Sequence, residues 1–357
     1  MTIQRQALVW IAGFFVFIAL VWLLSGVLLP FVAGLAAAYL LDPAADKLEE
    51  WGLSRLAATS VITALFILLF FASLIVLMPV AYEQMVALLE AAPRLAERAK
   101  TLLMSLSEGR LAQLLAGDGT DIQAAISRGA SGVLNMLVGA LAGLWQQGMA
   151  IVGLVSLLFV TPIVAFYMLL DWDNMVERVD GLLPRDHAAT IRAIAREIDE
   201  VLAGFVRGQG AVCLLLGSFY AIGLTVLGLE FGFIVGAIAG IISFIPYVGT
   251  IVGFVLAMII AVVQFWPDYG WIIAVAGVFG VGQFIEGNFL TPKLVGDRVR
   301  LHPLWVMLAL FAFGSLFGFV GMLLAVPVAA AMGVLVRFAA ARYLVSALYQ
   351  GNGGDDT

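Results

Sequence analysis

Residues 282–305 read GQFIEGNFLTPKLVGDRVRLHPLW, and Glu286 sits directly after an uncharged run covering 269–285. Gln283, Asn288 and Thr291 lie within five residues of it, so a helical turn groups some of them on one face. A carboxylate at that depth, among amides and a hydroxyl, suits a proton carrier or a polar-solute site. The competing reading is a helix-end carboxylate in interfacial water. A second polar group, Ser243, Tyr247 and Thr250, falls in SFIPYVGT (243–250), and Ser315 falls in FGSLFGFVG (313–321). Pro246 and Gly249 in the first segment, and Gly314 and Gly318 in the second, interrupt helical hydrogen bonding. Backbone groups freed in lipid cost several kcal/mol each unless protein, water or a ligand meets them. Such breaks therefore belong where polar solute or water is present.

Catalysis has little to work with. The three lysines, Lys47, Lys100 and Lys293, follow Asp46, Ala99 and Pro292, so no phosphate-binding GxxxxGK[ST] loop exists. The histidines, His187 and His302, are far apart and HExxH is absent, which removes the usual zinc arrangement. The lone cysteine, Cys213, has no disulfide partner in the chain and reads as a small apolar-run residue. No enzyme activity and no cofactor are expected. A formal charge of −6 argues against nucleic acid as a partner.

The elements that must hold these groups lie in a membrane. With 63% hydrophobic and 12% charged residues, the chain departs from soluble composition. Uncharged runs cover 6–41, 56–82, 129–170, 208–229, 231–267, 269–285 and 301–336. Most reach the roughly 18–20 residues needed to cross a bilayer. The fold class is an all-α polytopic membrane protein with about eight transmembrane segments. The run 6–41 is overlong with Pro30 inside it, and reads as a kinked helix or a tight pair. The 37 uncharged residues of 231–267 would make one helix about 55 Å long, against a hydrocarbon core of about 30 Å. A helical hairpin, re-entrant from one side, fits that length, and 303–336 repeats the pattern with Pro327 following its break. Two ordinary kinked spans are the alternative. Paired interrupted segments point to a transporter's binding site.

The N-terminal segments occupy 1–82. An amphipathic insertion, 83–147, reads as two or three helices broken around Gly117–Gly119, with Pro93 suited to a first turn. A further segment, 148–170, precedes a surface helix region at 171–207. There Ile191, Ile194, Ile198, Val201, Leu202 and Phe205 form one apolar stripe and Asp186 is a candidate N-cap. Residues 208–345 form a C-terminal bundle and 346–357 a polar tail. Asp268 and Glu230 read as turn residues, and Lys293, Asp297, Arg298 and Arg300 as interfacial charges. His302-Pro303 launches the second broken segment. The arrangement of Lys and Arg does not orient the chain.

Four ordered motifs resemble the autoinducer-2 exporter family, an uncharacterised-permease family. They are DP (Asp42, Pro43), VRGQ (206–209), ISFIPYVGTIVG (242–253) and the long stretch from IEGNFLTPKLVGDRVRLHPLW to VPVAA (285–330). The similarity spans about residues 5–345, and in 83–147 it is one of character only. The resemblance implies a multi-pass inner-membrane transporter of bacteria without ATPase machinery, assembled as a homo-oligomer, a pentamer. It also implies two hairpins that handle substrate and elevator-like movement. Export of autoinducer-2 and exchange of sodium or lithium for protons are both associated with it. The expected substrate-binding and gating residues are Ser243, Pro246, Tyr247, Gly249, Thr250, Gln283, Asn288, Thr291, Pro292, Gly314, Ser315 and Gly318. Glu286 is the coupling-ion candidate, and Arg207 and Gln209 are expected in structural or coupling roles. A membrane scaffold without transport would account for the insertions but not for the paired breaks.

Overall fold

A computed structural model describes residues 3–108, 149–295 and 301–350. The described elements are all helical: α1 (Ile3–Glu50), α2 (Arg55–Glu108), α3 (Met149–Gly181), α4 (Ala188–Val226), α5 (Gly232–Ile242), α6 (Val248–Phe265), α7 (Tyr269–Ile285), a π-helical segment (Glu286–Val295), α8 (Pro303–Leu344) and the short α9 (Ala347–Gln350). Among the described residues, seven helical stretches are long and apolar enough to cross a membrane, and α5 is a shorter apolar helix. The chain is a multi-pass membrane protein.

Three expectations change. Residues 6–41 belong to one unbroken helix, α1, with Pro30 and Pro43 inside it, so the tight-pair reading is set aside. Helix α2 runs through residue 93 to Glu108, so no new helix begins at Pro93. A long apolar helix can simply extend into water, which sequence runs do not reveal. The part of the insertion beyond Glu108, with Gly117–Gly119, lies outside the described residues, as do Asp297, Arg298, Arg300 and the end of the tail. Helix α4 starts at Ala188, and the Ile191 amide donates to the His187 carbonyl at 3.0 Å, so the cap position is His187 rather than Asp186.

The chain divides into two compact units: 1–67, 155–210 and 292–357 form one, and 68–154 with 211–291 form the other. Helices α2, α3, α4 and the π-helical segment each pass from one unit into the other.

In the first unit α1 packs against α8. Helices α1 and α3 run in the same direction. Thr161 donates to the Pro30 carbonyl at 3.3 Å, Gly34 abuts Val164, and the Tyr39 and Trp172 rings meet edge-on at 6.2 Å. The apolar stripe of α4 is used as expected: Val201 and Phe205 are buried, and Ile191, Ile194, Ile198 and Leu202 are partly covered. Helix α8 opens on His302, whose Nδ1 accepts from the Leu304 amide at 3.3 Å, with Pro303 in the first turn. It breaks at Gly318, where φ is 62° and ψ −141°, a conformation essentially reserved for glycine. Beyond the break the chain doubles back. Gly321 lies against the Phe313 carbonyl and Gly314 against Met322, neighbours impossible for residues eight apart in a straight helix.

In the second unit α5 and α6 form the other reversal, centred near Pro246. Gly249 lies against Ser243 and Gly253 against Ala239, so the two helices are antiparallel. At 11 residues, α5 spans about 17 Å, roughly half a bilayer core. It reaches α4 through a small-residue stripe: Gly232 meets Leu224, Gly236 meets Ala221, and Gly240 meets Gly217. Without side chains between them the backbones approach closely, the usual basis of helix association in lipid. Phe231, at the N-cap of α5 with φ 60°, offers no capping side chain. Gln84 from α2 supplies the acceptor instead, taking the Ile234 amide at 3.1 Å. Gln264 fastens the preceding turn, accepting from the Glu230 amide and donating to the Gly228 carbonyl, both at 2.8 Å. Asp268 caps α7 by accepting from the Gly270 amide at 3.2 Å, the turn role expected of it.

Candidate functional site

The polar cluster in the second unit is assembled from two segments, the start of α6 and the junction of α7 with the π-helical segment. Thr250 stands in the first turn of α6, immediately after the reversal at 243–247. Its hydroxyl donates to Glu286 Oε2 at 3.4 Å. Gln283, in the last turn of α7, donates its amide to the same oxygen at 3.4 Å. Both contacts are at the long end for hydrogen bonds, so the carboxylate is approached but not tightly held. Glu286 is half-buried and opens the π-helical segment. The first amides of α6 have no partner within their helix, and its macrodipole favours an anion at that end. The site is therefore a carboxylate beside the first turn of α6.

The other expected residues distribute around it. Ser243 is buried and donates to the Ala239 carbonyl at 2.7 Å, which ties down the end of α5. Pro246 and Gly249 shape the reversal, and Tyr247 contributes a backbone in the left-handed region, φ 68°, with its ring exposed. Asn288 is exposed and donates to the Phe284 carbonyl at 2.9 Å, one turn back on its own helix. Thr291 and Pro292 are exposed on the π-helical segment. The winding continues past Pro292 to Val295. A proline has no N–H to give to an α-helical ladder, and the wider i→i+5 winding carries the chain past it. Gly314, Ser315 and Gly318 belong to the first unit, where Ser315 donates to the Ala312 carbonyl at 2.9 Å. Among the described residues no group of three or more histidine, cysteine or acidic side chains is placed to hold a metal.

One buried group in this cluster carries no sequence signal. Tyr220, on α4, is fully buried, and its hydroxyl has no hydrogen-bond partner. Its ring stacks on Phe279 at 4.6 Å, and Gly282, one turn before Glu286, lies against the ring and hydroxyl. Tyr220 sits inside an uncharged run, so no local pattern sets it apart.

The first unit holds a second polar assembly. Pro43 has no N–H, so the Tyr39 carbonyl four residues earlier loses its helical donor. Arg207 Nε fills that role, donating to the Tyr39 carbonyl at 2.7 Å, while its Nη2 reaches Asp42 at 3.5 Å. Arg55 binds the same stretch. Its Nη1 donates to Asp46 at 2.8 Å and Glu49 at 2.9 Å, its Nη2 to Asp42 at 3.3 Å, and its Nε to the Leu169 carbonyl at 2.9 Å. Tyr39 donates its hydroxyl to Asp199 at 2.9 Å, and these groups border a cavity of about 790 Å³ with Trp172 on its wall. Gly208 lies directly against the Leu294 carbonyl of the π-helical segment, and Gln209 is buried beside it in sequence. The DP and VRGQ motifs thus meet in one place.

A family model described as AI-2E family transporter matches residues 11–341. The chain belongs to the AI-2E transporter family. Members similar to it include the Bacillus subtilis protein named "Putative transport protein YrrI", 31% identical over 316 residues, which are 88% of this chain and 87% of that protein. The Escherichia coli K12 protein named "Putative permease PerM" is 25% identical over 331 residues, 92% of this chain and 90% of that one. A Synechocystis protein named "Putative transport protein sll0063" is 27% identical over 335 residues, covering 92% and 79%. By kinship the chain stands among proteins named "Putative transport protein" and "Putative permease".

Proposed function

We propose that this AI-2E family chain is a secondary transporter of the bacterial inner membrane that exports a small polar solute of the autoinducer-2 type. The observation that carries the reading is the Glu286 carboxylate, approached by Thr250 and Gln283 at 3.4 Å each, at the open end of α6. A carboxylate accepts hydrogen bonds, the Thr250 hydroxyl and Gln283 amide can do both, and the helix end donates. A hydroxyl-bearing solute can answer all of them.

Alternating access follows from the two helix reversals, one at 243–247 and one at Gly318, acting as gates that dip into the membrane and return. The half-membrane length of α5 favours this, because a helix of 11 residues is too short to cross the core by itself. The separation into two compact units joined by continuous helices supports elevator-like movement of one unit. Assembly as a homo-oligomer, a pentamer by family resemblance, completes the proposal.

A second reading, exchange of Na⁺ or Li⁺ for protons, is favoured by the same residue, since a titrating acid in the path is what an antiporter requires. The experiment that separates them is flux in proteoliposomes, comparing labelled autoinducer-2 with Na⁺ and Li⁺ under an imposed pH gradient. Solute flux without cation flux supports export. Cation flux alone transfers the site to the antiporter.

A further inference from the structure

We infer that the Tyr220 hydroxyl is a contact for the transported solute, donating to an oxygen of a hydroxyl-bearing molecule that Glu286 holds from the other side. The inference rests on the export reading above and adds to it a third wall of the site. A buried hydroxyl without a partner costs about 1–3 kcal/mol, and native proteins rarely leave one unexplained. Tyr220 is fully buried and its hydroxyl is unpartnered, although the rest of the side chain is firmly placed by Phe279 at 4.6 Å and by Gly282.

The direction of the hydroxyl is set by those neighbours. It lies over Gly282, whose next turn along the same face carries Glu286. Thr250 and Glu286 are the polar side chains that act on it, and Thr250 gives its own proton to Glu286. A Cβ at position 282 would strike the Tyr220 ring and hydroxyl, so glycine there lets the ring sit directly on α7. Around one point stand a donor (Tyr220), an acceptor (Glu286) and a group that can act as either (Thr250). A bare cation would leave the Tyr220 proton without an acceptor. A solute hydroxyl accepts from Tyr220 and donates to Glu286 at once, so the geometry points to a small molecule carrying hydroxyl groups.

The test is Tyr220→Phe in the full-length protein, which removes one oxygen and preserves the stacked ring. In proteoliposomes with labelled autoinducer-2 as the probe, KM should rise about three- to ten-fold, the loss of one neutral hydrogen bond. The thermal midpoint in detergent, without solute, should stay level or rise, because an unmet buried hydroxyl has been removed. An unchanged KM overturns the inference, and so does a lowered midpoint, which would mean the hydroxyl has a structural partner. Failure of the export reading shows elsewhere, as wild-type protein that moves no more autoinducer-2 than empty liposomes. In that event the midpoint still decides whether the hydroxyl is unmet. A KM change for Na⁺ instead of solute overturns the assignment to a hydroxyl-bearing ligand.

Discussion

The Arg207 side chain donates to the Tyr39 main-chain carbonyl at 2.7 Å, the acceptor that Pro43 strips of its helical partner. The two residues are 168 apart in sequence, and the bond joins α1 to α4 within one unit. Its Asp42 contact is long and the pair is about a third exposed, so the carbonyl bond outweighs the ion pair. Arg207→Ala should therefore destabilise the protein in detergent by about 1–2 kcal/mol. In a Pro43→Ala background the helix supplies its own N–H, and the same substitution should cost less by about 1 kcal/mol. A double-mutant cycle on thermal or denaturant unfolding reads this coupling, and equal costs in both backgrounds would refute it.

The α4–α5 contact makes a separate prediction about packing. Gly236 lies on the Ala221 backbone, so Gly236→Ala should lower stability by about 1–3 kcal/mol. On α7, Gly277 and Gly280 face open space, and alanine there should be neutral or stabilise by up to about 1 kcal/mol through helix propensity. The unfolding midpoint of Gly236→Ala should lie below that of the wild type, and those of Gly277→Ala and Gly280→Ala at or above it.

Gly318 holds the reversal of α8 at φ 62°. Gly318→Ala should cost about 1–2 kcal/mol and slow export, whereas Ser315→Ala, whose hydroxyl bonds only within its own turn, should do neither. Transport rate and thermal midpoint measured together check both halves. On the other reversal, Pro246 and Gly249 replaced together by alanine should stop efflux, with Gly249 the larger contributor because its Cβ would meet Ser243. Normal efflux at normal expression would remove that reversal from the gate.

Local chemistry made part of this legible in sequence. Pro246, Gly249 and Gly318 announce broken helices because proline and glycine alter the backbone whatever surrounds them, and Glu286 stands out as an acid at the edge of an apolar run. The apolar stripe of Ile198, Val201 and Phe205 was readable for the same reason: helical period is a local property. Asn288 and Thr291 were grouped with Glu286 by spacing alone. The change to π winding at Glu286 alters which residues share a face, and Asn288 turns back to Phe284. Tyr220 was invisible because its neighbours in the chain are apolar and its polar neighbours come from α6 and the end of α7. The Arg207–Tyr39 bond was invisible for a similar reason: an orphaned carbonyl has no side chain to reveal it, and its donor comes from another helix.

The central claim is that Glu286 is the working carboxylate, and Glu286→Gln in proteoliposomes tests it most directly. Glutamine keeps the size and one acceptor oxygen, replaces the other with a donating NH2, and cannot carry the charge or titrate, so Thr250 and Gln283 can still meet its carbonyl while the acceptor weakens. The account predicts at least a ten-fold fall in flux of labelled autoinducer-2, or of Na⁺ or Li⁺ under a pH gradient if that is the species moved, with unchanged folding in detergent. Wild-type flux of every one of these species by Glu286→Gln protein would contradict it.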